Sequence, residues 1–143
     1  MVETREARVV HASCVAAQGR AVLILGASGS GKSSLALELM SRGASLVADD
    51  RVILSREGDR LIARAPETLS GMIEARGVGL LGAVPTGPQP ITLVVDLDKT
   101  EENRLPPHRS TNLLGLSLTL LHNTGTAAFA AAILQYLREG RRA

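Results

Sequence analysis

The sequence predicts a single α/β domain in which helices flank a mixed sheet, and three observations carry this prediction. The chain has 143 residues, which fits one domain of ~100–200 residues. Two apolar runs, residues 21–25 and 91–95, are typical of strands buried on both faces. A strand, a glycine-rich turn, a helix and a second strand follow one another over residues 21–48. That order predicts a βαβ-like unit and a sheet that is at least partly parallel.

The first half of the chain is expected to contain short strands and one helix. Residues 9–15 alternate loosely between polar and apolar side chains, and Gln18-Gly19 predicts a hairpin turn into the strand at 21–25. Good helix formers fill residues 32–42, and Gly43 is well placed to end that helix. Residues 45–48 predict the next strand. The short runs 52–54 and 61–63 flank a glycine turn and predict a hairpin at the edge of the domain.

The second half contains a long apolar strand, two loops and a helix. A Pro/Gly-rich loop is expected over residues 83–90, and a polar connection over residues 100–111. Residues 126–138 predict a final helix, because Phe129, Ile133 and Leu137 recur at a spacing of four. The sequence contains no internal repeat and no boundary of a second domain. Residues 1–143 are therefore expected to form one domain.

Composition excludes several classes of protein. Lys+Arg 16 and Asp+Glu 14 leave a net charge of +2, and Phe129 and Tyr136 are the two aromatic residues, which argues against a nucleic-acid-binding protein. The single Cys14 excludes an internal disulfide and a cysteine-based zinc site. Residues 1–6 are charged rather than apolar, and no run reaches the ~18 apolar residues of a membrane span. We therefore expect a cytoplasmic protein with no membrane contact.

A phosphate-binding loop is the strongest motif. The pattern is a glycine, four residues and Gly-Lys-Ser, placed between a buried strand and a helix. Glycines let backbone N–H groups surround phosphate oxygens, Lys32 reaches the outer phosphates, and the Ser33 hydroxyl can hold magnesium. The expected nucleotide-binding residues are Gly26, Ala27, Ser28, Gly29, Ser30, Gly31, Lys32, Ser33 and Ser34.

Two adjacent acids, Asp49 and Asp50, come directly after the strand at 45–48. Ligands of open α/β sheets bind beyond the carboxyl ends of strands, so these acids face the γ-phosphate if that strand neighbours the strand at 21–25. Adjacent carboxylates at a strand end point in different directions, so one can contact a metal while the other takes a proton. Asp96, which ends the strand at 91–95, is a rival for the metal-side carboxylate.

These motifs together resemble the catalytic domain of HPr kinase/phosphorylase, a bacterial enzyme that phosphorylates a serine of the phosphocarrier HPr. The resemblance covers about residues 8–137. It rests on His11, the phosphate loop, the segment 46–52 with its paired aspartates, the segment 73–79 with its Glu-x-Arg-Gly-x-Gly pattern, and Asn103-Arg104-Leu105. It implies a P-loop kinase-like fold, related to that of PEP carboxykinase, and a short form without the N-terminal domain of longer members.

The resemblance also implies roles for individual residues. Asp49 would be the general base toward the substrate serine, with His11 beside it to set its charge. The divalent cation, Mg²⁺, would lie among Ser33, Asp50 and Glu74. Lys32 and Arg104 would act at the transferred phosphoryl group, Arg104 from a mobile loop.

The function expected from this resemblance is ATP-dependent phosphorylation of HPr or an HPr-like carrier in regulation of the phosphotransferase system. Family members also run a reverse reaction, in which phosphate attacks phosphoserine and pyrophosphate leaves, and they are typically hexamers. Two other functions stay open: a small-molecule kinase or plain NTPase that uses Asp96, and a module that binds ATP without transferring phosphate.

Overall fold

The structure, a computed structural model, describes residues 7–143. Residues 1–6, whose charged character argued against a signal peptide, lie outside this range. The described strands are β1 (Ala7–His11), β2 (Ser13–Ala17), β3 (Arg20–Leu25), β4 (Ser45–Ala48), β5 (Arg51–Glu57), β6 (Arg60–Arg64), β7 (Met72–Ala75), β8 (Gly79–Gly82), β9 (Gln89–Thr100), β10 (Arg109–Leu113) and β11 (Leu116–Asn123). The described helices are α1 (Lys32–Ser41), α2 (Phe129–Glu139) and a short 3-10 helix, Glu67–Leu69.

A mixed sheet organises the molecule, as the sequence predicts. Nine of the described strands belong to it; seven run in the order β1-β5-β6-β9-β3-β2-β4, and β11 pairs with both β9 and β10. The two apolar strands β3 and β9 are parallel neighbours, with Leu23 opposite Val94. The hairpins β2–β3 and β5–β6 are antiparallel. Strands β7 and β8 form a separate two-stranded hairpin.

The βαβ-like unit β3-α1-β4 contains an intervening strand. Strand β2 pairs antiparallel with both β3 and β4, so β4 runs in the direction of β3 without touching it along the sheet. The condition that β4 neighbours β3 is therefore not met. Because the two strands still point the same way, their carboxyl ends reach the same edge of the sheet, where Gly26 follows β3 and Asp49 follows β4.

The core lies on both faces of this sheet. On one face Val22 and Ile24 pack with Leu39 of α1. On the other face Leu23 packs in a second cluster with residues of β5 and β6. The predicted face of the last helix is confirmed, since Phe129, Ile133 and Leu137 are all buried. Cys14 is a buried free cysteine, and burial raises the pKa of its thiol.

Several sequence expectations about boundaries are wrong. The run 9–15 is two strands separated at Ala12, because β1 pairs with β5 whereas β2 pairs with β3 and β4. The β5–β6 hairpin is not at the edge of the domain, since β1 covers β5 and β6 pairs with β9. The polar connection is shorter than 100–111, because β9 continues to Thr100 and β10 begins at Arg109. Strands β10 and β11 were not predicted. Within residues 7–143, no helix has the length and apolar character needed to cross a bilayer.

Candidate active site

The phosphate loop connects the end of β3 to the first turn of α1. Gly29 and Gly31 have φ values of 81° and 99°, which glycine adopts without a steric penalty. Within the loop the Ser30 amide donates to the Ala27 carbonyl at 3.0 Å, and the Leu35 amide donates to Gly31 at 2.9 Å. The loop therefore turns into the helix as phosphate binding at a helix N-terminus requires.

A polar cavity of about 350 Å³ opens beside this loop. It is bordered by four elements: the phosphate loop with the start of α1, the start of β2, the end of β4 and the β7–β8 hairpin. The lining residues are Ser13, Ser28, Gly29, Gly31, Lys32, Ser33, Ser34, Asp50, Glu74 and Arg76. Most of the expected nucleotide-binding residues thus surround one cavity, together with Asp50 and Glu74, which were expected to bind the cation.

Asp49 is buried beneath the loop, with 5% of its surface exposed. Its Oδ1 accepts hydrogen bonds from the hydroxyls of Ser33 at 2.8 Å and Ser13 at 2.6 Å, and its Oδ2 accepts from the Glu74 amide at 3.1 Å. These bonds hold the carboxylate against the serine expected to bind magnesium. Ser13 was not singled out from the sequence; the only signal was a hydroxyl inside an otherwise apolar strand.

Asp50 has the opposite environment, because it is exposed and lines the cavity. Its φ is 69°, and the Arg51 amide donates across it to the Asp49 carbonyl at 2.8 Å. This combination is the strained γ-turn with positive φ, which is rare for a residue other than glycine. Backbone strain of this kind costs about 1–3 kcal/mol and clusters at functional sites. The turn sends the two neighbouring carboxylates to different environments.

Lys32 lies folded against its own loop. Its Nζ donates to the carbonyl oxygens of Gly26 at 2.8 Å and Ala27 at 3.1 Å. The Ala27 amide in turn donates to both carboxylate oxygens of Asp98, at 2.8 and 3.1 Å. Asp98, which sequence reasoning missed, therefore fixes the first turn of the loop from the end of β9. Asp96 lies two residues earlier, and its carboxylate accepts the Asp98 amide at 2.9 Å.

Two expected catalytic residues do not line the cavity. His11 is exposed at the end of β1, opposite Arg51, and within residues 7–143 it has no hydrogen bond to either aspartate. Arg104 is exposed in the connection between β9 and β10. His11 still borders the turn that carries Asp50, because the amide of the next residue, Ala12, donates to the Asp50 carbonyl at 3.3 Å. The roles expected of His11 and Arg104 stay predictions.

The cavity suits a hard cation bound together with a nucleotide. Oxygen donors meet there: the Ser33 hydroxyl, the carboxylate of Glu74, the Asp50 carboxylate and, behind Ser33, that of Asp49. In the part of the chain that the structure describes, no group of three His, Cys, Asp or Glu residues forms a complete metal cage. Magnesium is commonly held by one or two carboxylates plus substrate phosphates, so these residues fit magnesium delivered with a nucleotide.

A bidentate ion pair holds together the two ends of the connection between β9 and β10, which carries Arg104. The Arg109 guanidinium donates to both carboxylate oxygens of Glu101, at 3.1 Å each, and the Asn103 amide adds a bond at 3.3 Å. The hydrogen bonds from Arg109 lower the pKa of Glu101. Arg141 also donates to the Pro106 carbonyl. The connection is thus fixed at its base and near its middle.

We expect Glu101→Gln to loosen this connection, because a neutral amide cannot form the charged, two-pronged bond to Arg109. Limited proteolysis within residues 102–108 should be several-fold faster than in the unchanged chain. A carboxyl whose pKa is lowered by folding stabilises the folded connection at pH values above its unfolded pKa. That stabilisation is lost as the pH falls through the folded pKa. Acidification below the ordinary glutamate pKa of about 4.3 should therefore speed cleavage in the unchanged chain. Glu102→Gln is the control, and equal cleavage of both variants would refute the clamp.

We expect Gly26→Ala to distort the phosphate loop. A Cβ on Gly26 would clash with Ser30 Oγ and would lie 3.0 Å from Ser30 Cβ and 3.3 Å from Leu97 Cβ. Overpacking of this kind costs about 1–3 kcal/mol, and 1.4 kcal/mol is about tenfold in binding. Calorimetry should show ATP affinity reduced by about tenfold. Gly87→Ala, where a Cβ meets no atom within 4 Å, should leave it unchanged; equal affinities in the two variants would contradict this geometry.

Several known proteins are similar to this chain over most of its length. The family described as HPr Serine kinase C-terminal domain matches residues 3–112. HPr kinase/phosphorylase of Peptoclostridium acidaminophilum is 42% identical over 106 residues, 68% of this chain and 34% of that protein. The Geobacillus kaustophilus protein of the same name is 42% identical over 116 residues, 75% of this chain and 35% of its own. The chain thus spans about a third of the length of these relatives.

A solved structure matches nearly the whole chain. The Hpr(Ser) kinase/phosphatase from Coxiella burnetii superposes with a TM-score of 0.76 at 25% sequence identity. The match covers 92% of this chain and 94% of that one. The predicted P-loop kinase-like α/β fold is confirmed by this similarity.

Proposed function

The chain belongs to the HPr Serine kinase C-terminal domain family, and from that premise we propose that it transfers the γ-phosphoryl group of ATP to a serine hydroxyl of an HPr-like phosphocarrier. The observation that carries the proposal is a phosphate loop flanked by two aspartates in different environments. A phosphate loop alone accounts for nucleotide binding, whereas a free carboxylate beside it suits transfer to a hydroxyl. The acceptor is inferred from the name HPr kinase/phosphorylase that the curated relatives carry.

In this proposal the phosphate loop holds the nucleotide. Backbone N–H groups of the loop and the N-terminus of α1 bind the phosphates, and Lys32 exchanges its loop carbonyls for phosphate oxygens. Magnesium, when bound, neutralises phosphate charge. The Ser33 hydroxyl and the Glu74 carboxylate would hold it, with Asp49 orienting Ser33 through their 2.8 Å hydrogen bond.

The geometry supports the reverse of the order expected from the sequence for the two aspartates. Asp49 is buried and already accepts three hydrogen bonds, so it is poorly placed to receive a proton from a protein substrate. Asp50 is exposed to the cavity, and its carboxylate accepts no hydrogen bond from any residue in 7–143. We therefore assign the general base to Asp50 and the cation-side role to Asp49.

Asp50 is the proton acceptor of the transfer step in this assignment. Asp50 accepts the proton of the serine hydroxyl while the serine oxygen bonds to the γ-phosphorus. The bond from that phosphorus to the β–γ bridging oxygen breaks, and ADP leaves. In the reverse, phosphorylase direction, an oxygen of inorganic phosphate bonds to the phosphorus of phosphoserine, and the bond from that phosphorus to the serine oxygen breaks. Pyrophosphate leaves, and protonated Asp50 gives its proton to the serine oxygen. One carboxylate thus serves as base in one direction and as acid in the other.

Family membership also supports proposals about assembly and setting. We propose a cytoplasmic homo-oligomer, a hexamer, that acts on the carrier in regulation of the phosphotransferase system. Light scattering on the purified chain tests the assembly; a monomer at all concentrations would contradict it.

The alternative function that uses Asp96 is not favoured. The Ser33 hydroxyl donates to Asp49, whereas the Asp96 carboxylate accepts a backbone amide of its own strand. A module that only binds ATP would show nucleotide affinity without turnover.

The test is formation of ADP from ATP and magnesium by the purified chain, with and without candidate HPr-like carriers. We expect ADP to form only when a carrier is present and in equal amount to the phosphate gained by it. ADP formation without any carrier would favour a plain NTPase. Tight ATP binding with no turnover on any carrier would favour the binding module.

A further inference from the structure

Arg76 is a cation of the cavity to which no role has been given. It follows β7, in which Ile73 and Ala75 are buried in the core and Glu74 is exposed. Arg76 comes directly after β7, in the turn to β8, and its side chain is exposed like that of Glu74. Both residues line the cavity beside the phosphate loop. The hairpin thus presents an acid and a cation toward the nucleotide site.

The backbone that carries Arg76 is well fixed. The Val78 amide closes the turn by donating to the Ala75 carbonyl at 2.9 Å, and Gly77 supplies the positive φ of 82° that the turn requires. The Glu74 amide joins the hairpin to the site through Asp49 at 3.1 Å. The position of Arg76 relative to the phosphate loop is therefore set by hydrogen bonds and by the buried Ile73.

The guanidinium of Arg76 is available for a ligand. Within residues 7–143 it forms no hydrogen bond or ion pair, and Glu74, two positions earlier, is not a salt-bridge partner. Lys32, the other cation that lines the cavity, already donates to two loop carbonyls. Arg104 does not line the cavity. An unpaired arginine beside a phosphate loop is suited to an anion with several oxygens, since its planar fork of N–H groups matches phosphate.

We propose that Arg76 binds the terminal phosphoryl group of the nucleotide and stabilises the charge on its oxygens during transfer. This inference rests on the proposed function, because it places ATP on the phosphate loop. Lys32 and Arg76 then contact the phosphates from two separate elements, the start of α1 and the β7–β8 hairpin. Such a contact distinguishes ATP from ADP, since ADP lacks the group that Arg76 binds.

Calorimetry of ATP and ADP binding, each with magnesium, tests the inference on Arg76→Ala and Arg76→Lys. We expect Arg76→Ala to weaken ATP about tenfold, as loss of a charged hydrogen bond of about 1.5 kcal/mol does, while ADP changes less than about twofold. Arg76→Lys should recover part of the affinity, because it keeps the charge but not the fork. Arg64→Ala, an exposed arginine outside this cavity, is the matched control and should bind like the unchanged chain.

Equal loss of ATP and ADP affinity in Arg76→Ala would overturn the inference, and so would unchanged binding of both. The readout separates this inference from the proposed function. If the chain phosphorylates a carrier while Arg76→Ala discriminates the nucleotides normally, only the inference fails. If the chain transfers phosphate to no carrier but Arg76→Ala selectively weakens ATP, Arg76 binds the terminal phosphoryl group and only the proposed transfer to a carrier fails. If the unchanged chain binds no ATP, both fail.

Discussion

Asp50→Asn is expected to slow phosphorylation of the carrier serine by about 10²–10⁴-fold, the usual contribution of a general base. The change is nearly isosteric and removes the negative charge and the ability to accept a proton. ATP affinity should barely change, because in our assignment Asp50 acts on the serine hydroxyl of the carrier and not on the nucleotide. Single-turnover transfer at saturating ATP, set beside calorimetric ATP binding, measures both quantities.

Asp49→Asn and Asp59→Asn are the comparisons that make this result specific. Asp49→Asn should weaken nucleotide binding and raise the magnesium concentration needed for activity, since it removes the charge that orients Ser33. Asp59, in the turn between β5 and β6, should tolerate the change. If Asp49→Asn lost transfer with normal ATP binding while Asp50→Asn lost binding, the two roles would be the reverse of our assignment.

Lys32→Ala is expected to reduce kcat/KM for ATP by about 10²–10³-fold, comparable to removal of one preorganised donor to developing charge. ATP binding and transfer should fall together, because the ammonium contacts the phosphates before and during transfer. Titration of ATP in the transfer assay and calorimetric binding give the two effects separately.

Lys99→Ala is the matched control for this variant. Lys99 is the only other lysine of the chain and is exposed near the end of β9. It should bind ATP and transfer phosphate normally. Ordinary activity in Lys32→Ala would contradict the role of the phosphate loop in binding the phosphates of ATP.

The features predicted from the sequence are those set by neighbouring residues. The phosphate loop combines glycines, a buried strand and a helix within residues 21–42, so its structure follows from local conformational preferences. The parallel partner β9 was recognisable because both faces of its segment 91–95 are apolar. The buried face of α2 followed from the spacing of four between Phe129 and Ile133.

The features that the sequence did not determine depend on contacts between distant segments. The sequence predicts that the two adjacent aspartates differ but not which of them is buried. That depends on the γ-turn at Asp50 and on the hydrogen bond that Ser13 donates to Asp49 across 36 positions. The break at Ala12 arises because β1 and β2 pair with different strands. Arg76 was visible in its motif, but its lack of a partner within residues 7–143 appears only in three dimensions.

The identity of the phosphorylated atom tests the central claim most directly. After incubation of the chain with γ-labelled ATP, magnesium and an HPr-like carrier, fragmentation mass spectrometry of the carrier locates the transferred group. We expect label on a single serine hydroxyl of the carrier, and no label at that serine when the chain carries Asp50→Asn. Label on a histidine of the carrier, or label found only in inorganic phosphate, would contradict it.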